Sequence, residues 1–200
     1  MKNKQRFFKY TFLNGFLILL AFTMLKCKQE YTPKPFGFFR LDFPAKEYIQ
    51  YDTSKCPFSF EYPVYGEIEK YKNNLKNPCW FNINFENYNA KIYLTYYPIT
   101  RNTLSKHVED IRSLVYKHTV KAEAIKESFY SDTLHDVYGI LYDLEGNTAT
   151  SVSFFLTDST NHFLSGSLYF NTLPNKDSLA PAINFFREDI SHLISSLDWK

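Results

Sequence analysis

The sequence predicts an α+β domain in which an antiparallel sheet of about six to seven strands is flanked by two main amphipathic helices. Residues 137–170 contain three strand-like runs separated by short turns at 146–147 and 158–161, a pattern typical of an antiparallel meander. Residues 178–197 follow with apolar side chains at helical spacing. The simplest way to bury that apolar stripe is to pack the helix across the meander.

The first half of the chain is predicted to add further strands to this sheet. Residues 57–62 alternate between apolar and polar side chains, and residues 64–71 show a weaker strand pattern. Residues 79–85 turn into a second alternating run at 90–97. If the first three of these strands run up, down and up, the residues before the first and the third lie at the same end of the sheet.

Two helices are predicted from apolar periodicity. The first covers residues 102–118, with Asn102 or Thr103 as its cap. The last helix carries the clearest apolar stripe, and Pro181 falls in its predicted first turn, where proline is tolerated. The pattern of residues 121–130 is ambiguous, with a strand that enters the meander as one interpretation.

Length, composition and charge restrict the class of protein. Two hundred residues with 44% apolar content suffice for one domain with a core and leave little room for two. The high aromatic content of 19% is interpreted as side chains on the two faces of the sheet. Five basic residues and no acidic residue precede Cys27, whereas beyond it 18 basic residues face 21 acidic ones. The sequence beyond Cys27 therefore lacks the basic balance of a nucleic-acid-binding protein.

Residues 1–27 have the layout of a secretory signal that leads to a membrane anchor. Basic residues precede an apolar run at 12–25, which ends close to Cys27. As a helix these 14 residues span roughly 21 Å, less than the roughly 30 Å hydrocarbon core of a bilayer. The layout resembles a bacterial lipoprotein signal, in which Cys27 becomes the lipidated first residue of the mature chain. Because Lys26 stands where such signals carry a small residue, an uncleaved N-terminal anchor is the alternative.

Residues 28–51 are predicted to form an extended lead-in arm, and residues 52–200 a single globular domain. Three prolines and a glycine interrupt any helix in the arm. The arm carries more aromatic side chains than a free linker needs, so it packs either on its own domain or on a partner protein. The candidate partner contacts are Phe36, Phe38, Phe39, Arg40 and Phe43.

Cys56 and Cys79 are predicted to form a disulfide. They precede two strands that start at the same end of the predicted sheet, and an exported chain occupies a compartment that permits the bond. Closing this loop contributes about 3 kcal/mol on the chain-entropy estimate. Two buried free thiols and half of a metal site are the alternatives, although the CxxC or nearby histidine spacing of a metal site is lacking.

No catalytic, cofactor-binding or metal-binding constellation is recognisable in the sequence. The five histidines lack HExxH or paired-ligand spacing. Ser165 and Ser167 lie in a predicted strand rather than on the strand-to-helix turn of a GxSxG nucleophile. The adjacent acids Glu109-Asp110 and Glu188-Asp189 point about 100° apart on a helix, so neither pair shares one face. The sequence therefore predicts a protein that is not an enzyme.

Several blocks of the chain carry a family resemblance. They are the signal ending at Cys27, PKPFGFFRLDFP (33–44), CPFSFEYP (56–63), CWFNINFENYNAKIYLTY (79–96), EDIRSLVYKHTVKA (109–122) and the block from Thr150 to Trp199. Together they resemble the gliding-motility lipoprotein GldD family of Bacteroidetes over nearly the whole mature chain. The pattern of a sheet with helices is also similar to the PsbP-like α/β/α sandwich, an analogy at the level of fold.

The resemblance implies a membrane-anchored lipoprotein of the cell envelope, without catalytic residues or a cofactor. Residues 28–30 lack both the aspartate that resembles an inner-membrane retention signal and the acidic run of a surface-export signal, so we expect the periplasmic side. The leading hypothesis is a non-catalytic binding or assembly component of the gliding machinery, linked to type IX secretion. The alternative is a periplasmic lipoprotein that binds a small ligand or a lipid, which requires an apolar cavity between sheet and helices. A hydrolase is the third hypothesis, and it requires histidine and acidic side chains clustered at a pocket.

Overall fold

Ten strands and two helices form from residues 41–70 and 77–200, the parts of the chain that the computed structural model describes. In chain order they are β1 (Tyr48–Asp52), β2 (Phe58–Pro63), β3 (Glu67–Lys70), β4 (Phe81–Phe85), β5 (Ala90–Pro98), α1 (Arg101–Tyr116), β6 (Ala122–Asp132), β7 (Val137–Gly146), β8 (Thr150–Thr157), β9 (His162–Phe170), α2 (Lys176–Ser195) and β10 (Asp198–Trp199). None of the helices in these ranges is long and apolar enough to cross a membrane.

The strands form two antiparallel sheets. Seven lie side by side in the order β3-β4-β5-β9-β8-β7-β6, and three form a smaller sheet in the order β1-β2-β10. The meander predicted for residues 137–170 is confirmed as β7, β8 and β9, which pair in succession. Strand β5 joins the meander to the N-terminal strands through its pairing with β9. The predicted α+β class, with two main helices on an antiparallel sheet, is therefore confirmed.

Side-chain alternation divides the larger sheet into two faces, each packed against a helix. Phe154 belongs to the main core with α2 and the smaller sheet, whereas its neighbour Phe155 packs with α1 on the opposite face. On the α2 side, the Phe186 ring lies 4.5 Å from that of Phe85 and 6.1 Å from that of Phe170, measured between centroids. The last helix thus buries its apolar stripe against the sheet that contains the meander, as predicted.

Both helices begin at polar caps. Helix α1 has Thr100 as its N-cap, so the predicted cap at Asn102 or Thr103 is wrong. The Thr103 hydroxyl, in the first turn, accepts a hydrogen bond from the backbone N–H of Thr100, which forms one half of a capping box. At α2, the Asn175 side chain accepts one from a backbone N–H in the first turn. Helix α2 begins at Lys176 instead of residue 178, so Pro181 lies inside the helix and not in its first turn.

The N-terminal half differs from the sequence prediction in how its strands are distributed. Strand β2 pairs with β1 and β10 instead of joining β3 and β4, so the predicted up-down-up arrangement within one sheet is wrong. The ambiguous residues 121–130 form the edge strand β6 beside the meander. Strands β1 and β10 have no predicted counterpart. Strand β1 overlaps the end of the predicted lead-in arm and pairs with the next strand, β2, whereas β10 has only two residues and pairs with a strand far away in the sequence.

Candidate functional site

A disulfide joins the two sheets. Cys56 lies two residues before β2 of the smaller sheet, and Cys79 lies two residues before β4 of the larger one. Both side chains are buried, and their Cα atoms lie 5.5 Å apart. The predicted disulfide is confirmed, although it links strands of different sheets. It therefore stabilises the packing of one sheet on the other.

A buried carboxylate connects α2 to the start of β1 and to the turn that follows β2. Asp189 of α2 is 1% exposed. Its Oδ1 accepts hydrogen bonds from Lys46 Nζ at 2.7 Å and from the Tyr48 hydroxyl at 3.1 Å. Its Oδ2 accepts one from the Tyr65 hydroxyl at 2.8 Å. We call these four residues the carboxylate clamp, and their contacts compensate the carboxylate for its lost water.

The two tyrosines of the carboxylate clamp stay protonated over the physiological pH range. Burial raises the pKa of Tyr65 well above its usual range, and the hydrogen bond to Asp189 raises it further. Burial also raises the pKa of Tyr48, to about 12, with the negative charge of Asp189 as the second cause. Both hydroxyls therefore act as hydrogen-bond donors to Asp189, a role that holds structure in place.

Aromatic contacts surround the carboxylate clamp and fix the described end of the arm to α2. Lys46 Nζ donates a hydrogen bond to the backbone carbonyl of Phe185 and lies 3.3 Å from the centroid of its ring. Phe43 stacks on the same ring, with centroids 4.2 Å apart. Tyr48 stacks on His192 with centroids 3.6 Å apart. The arm from Phe43 onward is thus packed on its own domain.

The other predicted site residues do not come together in this region. Phe43 makes the intramolecular contacts just described, which correspond to one of the two alternatives for the arm. The remaining predicted contacts and the predicted lipidation site lie outside the described residues; they are Phe36, Phe38, Phe39, Arg40 and Cys27.

Sequence reasoning missed the carboxylate clamp, although one signal was present. Asp189 follows Phe186 by three residues and precedes Leu193 by four, so it lies on the apolar stripe of the last helix. An acid at such a position needs a buried partner. No sequence pattern identifies Lys46 as that partner, because it lies far from Asp189 in the sequence.

The serines considered for nucleophilic chemistry bond to other hydroxyls. Ser165 lies 2.7 Å from the Thr95 hydroxyl, and Ser167 lies 2.8 Å from the Ser153 hydroxyl, on neighbouring strands. Across residues 41–70 and 77–200, no three His, Cys, Asp or Glu side chains are grouped so that they could hold a metal ion.

Strand β6 forms one edge of the larger sheet. It contains eleven residues and pairs with β7 on one side. Phe129 in this strand is 82% exposed, and Leu134 in the turn that follows is exposed to a similar degree. The outer side of an edge strand offers unpaired backbone N–H and C=O groups to another chain, and Phe129 adds an exposed apolar side chain to this strand.

The fold and its disulfide define the class of protein, a small α+β domain of the kind that folds in an oxidising compartment. The family model described as the gliding motility lipoprotein GldD matches residues 28–199, and the chain belongs to that family. It is therefore a gliding motility lipoprotein, a class of membrane-anchored cell-envelope protein.

One solved structure with a similar fold is the solution structure of cyanobacterial PsbP (CyanoP) from Synechocystis sp. PCC 6803. The two chains are 12% identical and superpose with a TM-score of 0.45, and the match covers 84% of this chain and 100% of that chain. No curated protein matches this sequence.

Proposed function

We propose that this gliding motility lipoprotein is a non-catalytic assembly component that binds other gliding proteins and the type IX secretion machinery on the periplasmic side of the membrane. Family membership supports a role in gliding motility. The observation that carries the binding role is the outer edge of β6. An edge strand presents a row of backbone N–H and C=O groups that pair with a strand of another protein.

Charged side chains on an edge strand can prevent another strand from pairing with it. Two charged side chains of β6 instead bond to neighbouring residues of their own domain. Lys126 Nζ lies 2.5 Å from Glu145 of β7, and Glu127 accepts a hydrogen bond from the Tyr116 hydroxyl of α1 at 2.9 Å. Natural edge strands are usually protected by short length, proline or outward-pointing charge. Strand β6 is long and presents Phe129 instead, which favours a partner strand with an apolar side chain beside that ring.

The anchor limits where such a partner lies. Phe43 is packed on the domain and lies sixteen residues after Cys27. A fully extended chain of that length spans at most roughly 55 Å. If Cys27 carries the lipid, the partner lies close to the membrane. This stretch also contains the proposed arm contacts Phe36, Phe38, Phe39 and Arg40.

The alternative function, a carrier for a small ligand or lipid, requires an apolar cavity between the sheet and the helices. On the α2 side this space contains the packed rings of Phe85, Phe170 and Phe186. Phe154 and Ile190 in the same cluster are fully buried. This dense packing favours the assembly role over the carrier role.

A photo-crosslinking amino acid at position 129 of the full-length, C-terminally tagged protein tests the proposal in cells. The matched control is position 173, because Leu173 is as exposed as Phe129 but lies in the loop between β9 and α2. We expect mass spectrometry to find gliding or type IX secretion proteins crosslinked to position 129 and not to position 173. Equal crosslinking at both positions, or none at position 129, contradicts binding at β6.

Two further outcomes separate the parts of the proposal. Crosslinks from position 129 to unrelated envelope proteins would remove the link to type IX secretion and keep the binding edge. The double substitution Phe38→Ala and Phe39→Ala tests the arm, and it should release a partner that contacts these rings without lowering the yield of folded protein. Partner recovery equal to that of the unchanged chain refutes the arm as a contact.

A further inference from the structure

Helix α1 covers only part of its side of the larger sheet. It packs over Tyr142, Phe155 and Phe163. Where β4, β5 and β9 continue beyond the helix, two adjoining cavities of about 500 Å³ and about 370 Å³ share Tyr93 and Tyr169 in their linings. We call this surface, centred on the two tyrosines, the open groove. Cavities of this size fall in the range of small-molecule binding sites.

The larger cavity is rich in amide groups that are available for a ligand. Asn84, Asn89 and Asn171 line it, and their side chains make no hydrogen bond to any other residue in the described parts of the chain. Each amide offers both donors and an acceptor, as a hydroxyl group does. A ligand with many hydroxyl groups therefore matches this lining.

The charges around the open groove do not favour an anion. Lys91 lies at the edge of the larger cavity, but its Nζ forms a 2.6 Å ion pair with Glu69. Glu86 adds a carboxylate to the same cavity. Among the described residues at this cavity, the carboxylates of Glu69 and Glu86 outnumber the ammonium of Lys91, so this part of the lining favours an uncharged ligand over an anion.

The tyrosines and the smaller cavity supply apolar contacts. The Tyr93 and Tyr169 rings lie 5.4 Å apart at an angle of 88°, so the two rings pack edge to face. They form a corner in which a ligand can place the C–H face of one sugar ring on the face of a single tyrosine. Ile111 and Leu114 of α1 line the smaller cavity together with Ser165. Such an apolar wall beside polar groups suits the methyl of an acetamido substituent.

We propose that the open groove binds a glycan chain of uncharged, N-acetylated sugars. A peptide strand is disfavoured because β4, β5 and β9 are each paired on both sides within the sheet, so their backbones offer no edge for strand addition. A lipid chain is disfavoured by the amide lining of the larger cavity. The open groove and β6 lie on different strands, so this site is separate from the proposed protein contact.

Saturation-transfer-difference NMR on the full-length protein in mild detergent tests the site, with the β-1,4-linked tetramer of N-acetylglucosamine as the probe. Cellotetraose is the control ligand, because it carries hydroxyl groups where the probe carries acetamido groups. We expect transfer to the acetamido methyl protons of the probe. Tyr93→Ala should weaken binding about tenfold through the lost ring contact. Tyr138→Ala, on β7 outside the open groove, is the matched control and should leave the affinity unchanged.

Several results overturn the proposal. These are no transfer to the tetramer, equal affinity for cellotetraose, or equal affinity in the Tyr93→Ala protein. If Tyr93→Ala does not fold, Asn84→Ala provides the same comparison at a polar position. Saturation transfer to a cell-wall stem peptide, without transfer to the N-acetylglucosamine tetramer, also overturns the assignment. Co-sedimentation with purified peptidoglycan or binding to isolated surface polysaccharide identifies the source, and either result supports a glycan site. None of these outcomes alters the crosslinks expected from position 129.

Discussion

Replacing Lys46 by methionine should destabilise the fold, because it leaves the buried carboxylate of Asp189 without its cation. The Lys46 ammonium lies 2.7 Å from Asp189, and the Lys46 side chain is 25% exposed. Breaking a buried ion pair costs about 3–5 kcal/mol, and the partial exposure of Lys46 places the expected loss near 3 kcal/mol. For a chain of this length, that loss corresponds to a fall of about 6–12 °C in the thermal midpoint. Circular dichroism of the full-length protein in mild detergent measures it.

The matched control for this substitution is Lys126→Met. It breaks an exposed ion pair with Glu145, in which the two side chains are 67% and 50% exposed, and should cost less than about 1 kcal/mol. The double variant Lys46→Met, Asp189→Asn removes the unpaired charge and keeps an acceptor for the tyrosine hydroxyls. It should therefore be more stable than Lys46→Met alone. Equal midpoints for Lys46→Met and Lys126→Met, or strictly additive losses, would refute the role of the carboxylate clamp.

Three further predictions concern other parts of the fold. Replacing Cys56 and Cys79 by serine should lower the free energy of unfolding by about 3 kcal/mol. In the unchanged protein, alkylation should add mass at Cys56 and Cys79 only after reduction. Gly139→Ala should cost about 2 kcal/mol in denaturant unfolding, because its Cβ would clash with the Phe155 carbonyl oxygen. Burial alone raises the pKa of Asp158, but backbone N–H donors outweigh burial and lower it to about 2. Stability present above about pH 4 should fall by about 1–2 kcal/mol toward pH 2, and Asp158→Asn should abolish this loss.

Local sequence patterns predicted most of the elements but not how the strands pair. The alternating run at 90–97 matches β5, and the short turns of the meander determine which of its strands are neighbours. Alternation shows that a strand has one buried face, but it does not identify the strand beside it. The run at 57–62 therefore fits either sheet equally well, and its place in the smaller sheet depends on β1 and β10.

The same limit applies to the functional surfaces. The disulfide was predictable because cysteines have few roles in an exported chain. The carboxylate clamp was not, because its central ion pair joins residues 143 positions apart in the sequence. The open groove has no local signal either, since its lining comes from separate strands and from α1. Tyr93 and Asn84 look like ordinary strand residues until the sheet order places them beside Tyr169.

The two edges of the larger sheet differ, and the difference favours binding of a partner strand at β6 over binding at β3. At one edge, β3 has only four residues, three of them charged, which is typical of a protected edge. At the other edge, β6 is eleven residues long and exposes Phe129. A partner strand should therefore extend the sheet at β6, away from the open groove on β4, β5 and β9. Crosslinking from position 129 should then proceed equally well with the N-acetylglucosamine tetramer present, and competition between the two would contradict this separation.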